Sequence, residues 1–133
     1  MEINPYLMFS GNCEEALRFY EQALGAKIDS LMKNEGSPAQ EHMPPDWSDK
    51  VLHARFSIDN HVLMASDAPP GHYSKPQGFS VSISLPDTTK GEEIFKKLSE
   101  GGSVQMPFGP TFWAKGFGMC VDRFGIPWFV NCE

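Results

Sequence analysis

Two polar residues on neighbouring predicted strands are the best candidates for chemistry in this sequence. His53 lies near the start of a strand predicted over 51–58, and Asp67 ends its hairpin partner at 61–66; the two-residue connection Asp59-Asn60 joins them. Across such an antiparallel pair the carboxylate could orient the imidazole as a general base or a substrate anchor. The alternative is structural, with His53 in a local hydrogen bond and Asp67 capping the turn that follows it.

Large aromatic residues form a second candidate group. Rings that line an apolar pocket are the usual way to bind a flat or hydrophobic molecule. The predicted ligand-binding residues are Tyr6, Phe79, Trp113, Phe117 and Trp128. Core packing is the alternative for the group. Trp113 favours binding most, because the Gly109-Pro110 turn before it and Gly116 after it predict a loop, where a tryptophan has little core to fill.

The three cysteines indicate reduced thiols. Cys13, Cys120 and Cys132 form no CxxC pair and are odd in number, which argues against a disulfide framework and a cysteine zinc site. Cys13 lies in the first turn of a predicted helix, where the helix dipole can favour a thiolate. No histidine is near it in sequence to act as its base, and a buried small-residue role is the alternative.

The first half of the chain reads as a strand, a helix and three strands. The apolar run 3–9 leads into a helix that Asn12 is predicted to cap, with Glu15 as the return half of a capping box. Gly25 is placed to end this helix in a left-handed conformation. Strands follow at 26–33, 51–58 and 61–66, and a long proline-rich loop at 34–49 interrupts them.

The second half repeats this order after a breaker-rich segment at 67–77. The run 78–85 alternates apolar residues with serines, which is the period of a strand. A helix is predicted between Pro86-Asp87-Thr88 and Gly101-Gly102, and the turn 122–125 joins two strands in a C-terminal hairpin. The predicted fold is therefore α+β: paired βαβββ modules, about 1–68 and 78–133, with curved sheets around a cavity. A ferredoxin-like α+β sandwich is the alternative.

Composition predicts one globular domain. The 133 residues are 41% hydrophobic and 21% charged, and no run approaches the roughly 18 apolar residues of a membrane helix. The N-terminal segment lacks the features of an export signal, so we expect a cytoplasmic protein without a membrane partner. The net charge is −6 and the eleven Lys and Arg are scattered, which argues against nucleic acid as a partner.

Three motifs in this order of elements resemble a known family. They are NPYLMFSGNCEEALRFY, MPPDWSDKVLHARF and FWAKGFGMCVDRFGIPWFVNC. Across essentially the whole chain, 1–133, they are similar to the PhnB-like branch of the vicinal oxygen chelate superfamily, which has the glyoxalase, bleomycin-resistance and dioxygenase fold. The resemblance implies a homodimer. Part of this branch is labelled 3-demethylubiquinone methyltransferase-like, although this chain shows no glycine-rich strand-to-helix turn with a following acidic residue for a methyl-donor nucleotide.

The resemblance also implies where a metal would bind. The superfamily holds a divalent metal by His and Glu side chains from the first, fourth, fifth and eighth strands. Matching the motifs places three of these positions near Pro5, Val81 and Phe129, whose side chains cannot bind a metal. A shift of one residue would offer only weak oxygen ligands, namely Asn4, Tyr6, Ser80 and Ser82.

Two functions follow from these observations. The first is a binding protein that holds a small apolar or aromatic molecule in its cavity without the usual metal and without a cofactor. The second is an enzyme of lyase, isomerase or oxygenase type, with a rearranged metal site or a metal-free acid-base site that uses His53 and Asp67. A third reading, an interaction module with an exposed aromatic loop, gains no support from the scattered charges.

Overall fold

The protein consists of two compact units with the same architecture. The computed structural model describes all 133 residues, and the units are Met1–Ser74 and Lys75–Glu133. Each contains one four-stranded mixed sheet and one twelve-residue α-helix. The α+β fold with repeated βαβββ order is therefore confirmed. Both helices are too short and too polar to cross a bilayer.

The sheet of the first unit has the order β1-β4-β3-β2. Its elements are β1 (Tyr6–Phe9), α1 (Cys13–Leu24), β2 (Lys27–Lys33), β3 (Val51–Ile58) and β4 (His61–Asp67). β1 pairs with β4 in parallel, and β3 pairs antiparallel with β2 and β4. Asp59 and Asn60, between β3 and β4, have φ of 46° and 71°, the backbone conformation that a tight two-residue hairpin requires.

The sheet of the second unit has the corresponding order, β5-β8-β7-β6. Its elements are β5 (Val81–Ser84), α2 (Thr88–Ser99), β6 (Ser103–Gly109), β7 (Gly116–Val121) and β8 (Pro127–Cys132). β5 pairs with β8 in parallel, and β7 pairs antiparallel with β6 and β8. We call the side of each sheet that packs on its own helix the helix face, and the opposite side the open face.

Side-chain alternation separates the two faces. On the helix face of the first unit, α1 buries Leu17 and Tyr20, and the ring of Tyr20 stacks on Phe56 of β3 with centroids 6.0 Å apart. On the helix face of the second unit, Phe95 of α2 packs so closely on Gly118 of β7 that a Cβ there would lie 2.6 Å from its ring. Successive residues of a strand point to opposite faces, so the remaining strand positions form the open faces.

The cap of α1 differs from the one predicted. Asn12 makes no side-chain hydrogen bond at the helix start, so the capping box expected with Glu15 is wrong. The carboxylate of Asp67 takes this role instead, because its Oδ1 accepts from the backbone N–H of Gly11 and of Cys13, each at 2.9 Å. An acceptor from another element thus satisfies donors that the helix start would otherwise leave unpaired.

The long loop between β2 and β3 folds back on its own unit. It contains two short 3₁₀ turns, Pro38–His42 and Pro45–Trp47. Buried Asn34 donates through Nδ2 to the backbone oxygens of Trp47 and Lys50, both at 3.3 Å. The ring of Trp47 lies over Gly11, where a Cβ would be 3.3 Å from it. The loop is therefore anchored to the connection between β1 and α1.

Candidate functional sites

The open face of the second unit is apolar along β7 and β8. The register of these strands places Met119 opposite Phe129 and Phe117 opposite Asn131. All four side chains project to the open face, since Gly118 between them faces α2. The Oδ1 of Asn131 is buried and accepts no hydrogen bond. This face therefore combines a large apolar area with one unused acceptor.

Four aromatic rings form a continuous series on this unit, which we call the aromatic ladder: Phe112, Trp113, Phe117 and Phe129. Their successive centroids are 4.8, 5.2 and 5.4 Å apart, and each pair meets edge to face. This is a favoured geometry for aromatic pairs. Exposure falls over the first three rings, from 96% at Phe112 through 46% at Trp113 to 9% at Phe117, and Phe129 is half-buried. The ladder thus runs from solvent to the middle of the sheet.

A cavity of about 670 Å³ lies at the inner end of the aromatic ladder. Its apolar walls are Phe79, Met119, Val121, Pro127 and Phe129, and Gln77, Ser80 and Gln105 supply polar groups. Phe79 is 52% exposed at its rim. The volume falls within the range of small-molecule sites, which combine apolar walls with a few polar groups.

The structure brings Phe79 and Phe117 to this region, together with Trp113, but it places Trp128 elsewhere. Trp128 is fully buried on the helix face of β8, and its Nε1 donates to Oδ2 of Asp122 at 2.9 Å. Strand alternation explains the difference, because Trp128 and Phe129 are adjacent and must point to opposite faces. Phe129 rather than Trp128 lines the cavity, and Phe129 was not among the ligand-binding residues predicted from the sequence.

The open face of the first unit carries a tyrosine–histidine pair. The hydroxyl of Tyr6 on β1 lies 3.2 Å from Nδ1 of His53 on β3, and their rings are 5.9 Å apart. With a neutral imidazole the pair holds two polar protons, and the bond between them uses one. Either tautomer therefore leaves one donor free, on Nε2 of His53 or on the Tyr6 hydroxyl.

His53 and Asp67 do not meet. Ala54 and Ala65 are paired across β3 and β4, so His53 projects to the open face whereas Asp67 projects to the helix face. Besides its two bonds at the start of α1, Asp67 accepts from the backbone N–H of Val51 through Oδ2, at 2.9 Å. Both of its oxygens are therefore occupied by backbone donors, and the partner of His53 is Tyr6.

Comparison with known proteins assigns the chain to a family. The family model described as 3-demethylubiquinone-9 3-methyltransferase matches residues 1–131. The chain belongs to this family. The family name carries no reaction over to an individual member, because one fold supports many activities.

Relatives of this family member share nearly its whole length. It is 33% identical to Protein YjdN of Escherichia coli K12, over 98% of this chain and 95% of that protein. Protein PA1353 from Pseudomonas aeruginosa is 47% identical with a TM-score of 0.90, covering 100% and 98% of the two chains. The PhnB protein from Bacillus cereus is 26% identical with a TM-score of 0.84, covering 100% of both.

The fold of this family member is that of the glyoxalase and bleomycin-resistance proteins. A domain of that class from Frankia shares the fold with a TM-score of 0.71 at 11% identity, covering 100% and 97% of the two chains. Together with the family model and the PhnB relative, this confirms the PhnB-like branch of the vicinal oxygen chelate superfamily.

The residues of this family member do not fit the superfamily's divalent metal. On the open faces, Tyr6 of β1 pairs with Met64 of β4, and Ser82 of β5 pairs with Phe129 of β8. None of these side chains supplies an imidazole or a carboxylate. No three His, Cys, Asp or Glu side chains anywhere in the structure form a group that could hold a metal ion.

The cysteines of this family member are buried thiols. Burial raises the pKa of the Cys13 thiol, and the negative charges of Asp67 and Glu14 raise this pKa further. Burial also raises the pKa of Cys120, to about 11, and that of Cys132. Cys13 therefore does not have the thiolate character that its position suggested, because burial and the neighbouring carboxylates favour the neutral thiol.

Proposed function

We propose that this PhnB-like protein binds a small, flat apolar or aromatic molecule in the cavity of its second unit, without a metal. The apolar side chains that line the cavity carry the proposal, and the aromatic ladder leads from the exposed ring of Phe112 to one of them, Phe129. Rigid rings supply contact area at a low cost in conformational entropy. Nothing in this arrangement requires catalysis.

The polar groups narrow the class of ligand. Gln77, Ser80 and Gln105 line the cavity beside its apolar walls. Their amide and hydroxyl oxygens can accept a hydrogen bond from a ligand hydroxyl or N–H. An aromatic molecule with one hydrogen-bond donor is therefore the ligand class that we expect.

Titration of methionine-methyl-labelled protein with 2-naphthol tests this proposal, because Met119 lines the cavity, Met106 is paired with it on β6, and the other five methionines belong to the first unit. We expect the Met119 signal to shift. The ligand 2-methoxynaphthalene has a similar shape but no donor, and it should bind more weakly by up to about tenfold, the value of roughly one hydrogen bond.

Two variants of the protein locate the site. Phe79→Ala removes a ring from the cavity rim and should weaken 2-naphthol binding about tenfold, as expected for about 1.4 kcal/mol of lost apolar contact. Phe112→Ala removes the most exposed ring of the ladder, which does not line the cavity, and should change the affinity less than about twofold. Equal effects of both variants, or no Met119 shift with any aromatic probe, would reject the cavity as the site.

The contact between Tyr6 and His53 favours an acid-base enzyme as a second candidate function. In this candidate, His53 transfers a proton to or from an oxygen-bearing substrate, and Tyr6 orients the imidazole. Asp67 was expected to share this role, but its oxygens hold backbone donors. Metal analysis of the purified protein tests the form of this candidate that has a rearranged metal site: stoichiometric zinc, nickel, manganese or iron that is lost in His53→Ala would contradict metal-free binding.

A further inference from the structure

Three donor-bearing side chains surround Met64 on the open face of the first unit. Met64 of β4 is paired with Tyr6 on one side and with Arg55 on the other. His53 lies two residues from Arg55 on β3 and therefore points to the same face. The backbones of Tyr6 and Arg55 are two strand spacings apart, about 10 Å. Two long side chains can span this distance and meet above Met64.

The guanidinium of Arg55 is only weakly paired. Its one ion pair is with Glu2, where Nη2 and Oε2 are 4.0 Å apart and the two side chains are 42% and 77% exposed. Arg18, by comparison, contacts Glu14 and Glu21 at 3.5 and 3.2 Å. Most of the five N–H donors of Arg55 are thus available, and their planar fork matches a carboxylate.

The geometry points to a binding site for a small carboxylate at Arg55, His53 and Tyr6, with Met64 as its apolar floor. Arg55 takes the carboxylate through paired N–H donors, and the donor left free by the Tyr6–His53 pair, in either tautomer, completes the site. Methionine adapts to the body of the ligand, so the class is a monocarboxylate on a compact apolar group. Glu2 is an internal competitor, since its carboxylate already approaches Arg55.

This site lies in the first unit and does not rest on the function proposed for the second. The same methionine-methyl-labelled chain reports both sites, through Met64 for the carboxylate site and through Met119 for the aromatic cavity. Cyclohexanecarboxylate is the probe, cyclohexylmethanol is its uncharged counterpart, and inorganic phosphate tests whether any anion suffices. We expect Met64 to shift with the carboxylate alone, and this shift to persist in Phe79→Ala.

Variants at Arg55 should weaken carboxylate binding, whereas a variant at Glu2 should strengthen it. Arg55→Gln should weaken cyclohexanecarboxylate binding at least tenfold, because a charged, paired hydrogen bond is lost. Arg55→Lys keeps the positive charge but loses the planar set of N–H donors. Its affinity for cyclohexanecarboxylate should therefore lie between those of Arg55→Gln and the unchanged protein. Glu2→Gln removes the competitor and should strengthen binding up to about fivefold. Arg18→Gln, a surface control on α1, should change the affinity less than twofold.

Several results would overturn this site. One is an equal affinity of Arg55→Gln and the unchanged protein for cyclohexanecarboxylate. Another is phosphate binding as tightly as the carboxylate. The third is a carboxylate titration that shifts the Met119 signal but not the Met64 signal. If Arg55→Gln does not fold, Arg55→Lys and Glu2→Gln decide the matter, because both leave a polar side chain at an exposed position. Weaker carboxylate binding in Arg55→Lys together with stronger binding in Glu2→Gln would support the site. Unchanged binding in both variants would reject it.

Discussion

Removal of the Asp67 carboxylate should cost more stability than any other single polar truncation that we consider. This side chain is 6% exposed and joins three parts of the first unit. Its Oδ1 accepts from Gly11 and Cys13 at the start of α1, and its Oδ2 accepts from Val51 at the start of β3. Each bond is 2.9 Å long, so none is marginal.

The magnitude follows from the number of donors left without a partner. A hydrogen bond to a charged group contributes about 1.5–3 kcal/mol, and such bonds are not additive when they share an acceptor. We therefore expect Asp67→Ala to lower the free energy of unfolding by about 4 kcal/mol. Asp67→Asn keeps one acceptor oxygen but turns an NH₂ group toward a backbone donor, so it should lose about 2 kcal/mol.

Urea unfolding followed by far-ultraviolet circular dichroism measures these losses. The matched control is Asp87→Ala, since Asp87 caps α2 through two backbone N–H groups at 3.0 and 3.2 Å in an exposed setting. Loss of an exposed cap costs about 1 kcal/mol. If Asp67→Asn costs no more than Asp87→Ala, the carboxylate does not hold the unit together. The structural role assigned to Asp67 would then be contradicted.

Two further predictions concern the core of the second unit. Gly118→Ala should lower the free energy of unfolding by about 1–3 kcal/mol, because the new Cβ would lie 2.6 Å from the ring of Phe95. Urea unfolding checks this against Gly109→Ala, whose Cβ would meet no atom within 4 Å, and equal losses would contradict it. Burial raises the pKa of the Cys120 thiol from 9.0 to about 11, so the unfolded chain ionises first and stability should fall as the pH rises from 9 to 11. The loss is at most about 1.4 kcal/mol per pH unit, and urea midpoints at pH 8, 9 and 10 should vary less in Cys120→Ala than in the unchanged protein.

Local patterns in the sequence were sufficient for the elements and their order. Hydrophobic alternation, the helical spacing of apolar residues and the glycines and prolines between them act over a few residues, so they can be read without knowing the fold. The Asp59-Asn60 turn and the end of α1 at Gly25, with φ of 66°, are examples. The family resemblance rested on three motifs along the chain, and the family model matches residues 1–131.

Local patterns did not show which face of a sheet each strand residue occupies. Trp128 and Phe129 are adjacent large rings, and a change of one residue in register exchanges the buried ring and the cavity ring. His53 and Asp67 are close along a predicted hairpin, yet the pairing of Ala54 with Ala65 sends them to opposite faces. Only the pairing of strands distant in sequence resolves such choices.

The sequence by itself determined the element order and the repeated α+β architecture, because both depend on residue type and local spacing. The tertiary structure decided which polar groups meet. Asp67 reaches a helix start 54 residues away, and Tyr6 reaches His53 across 47 residues. These contacts arise because β1 lies beside β4, a non-local pairing that no short stretch of sequence encodes.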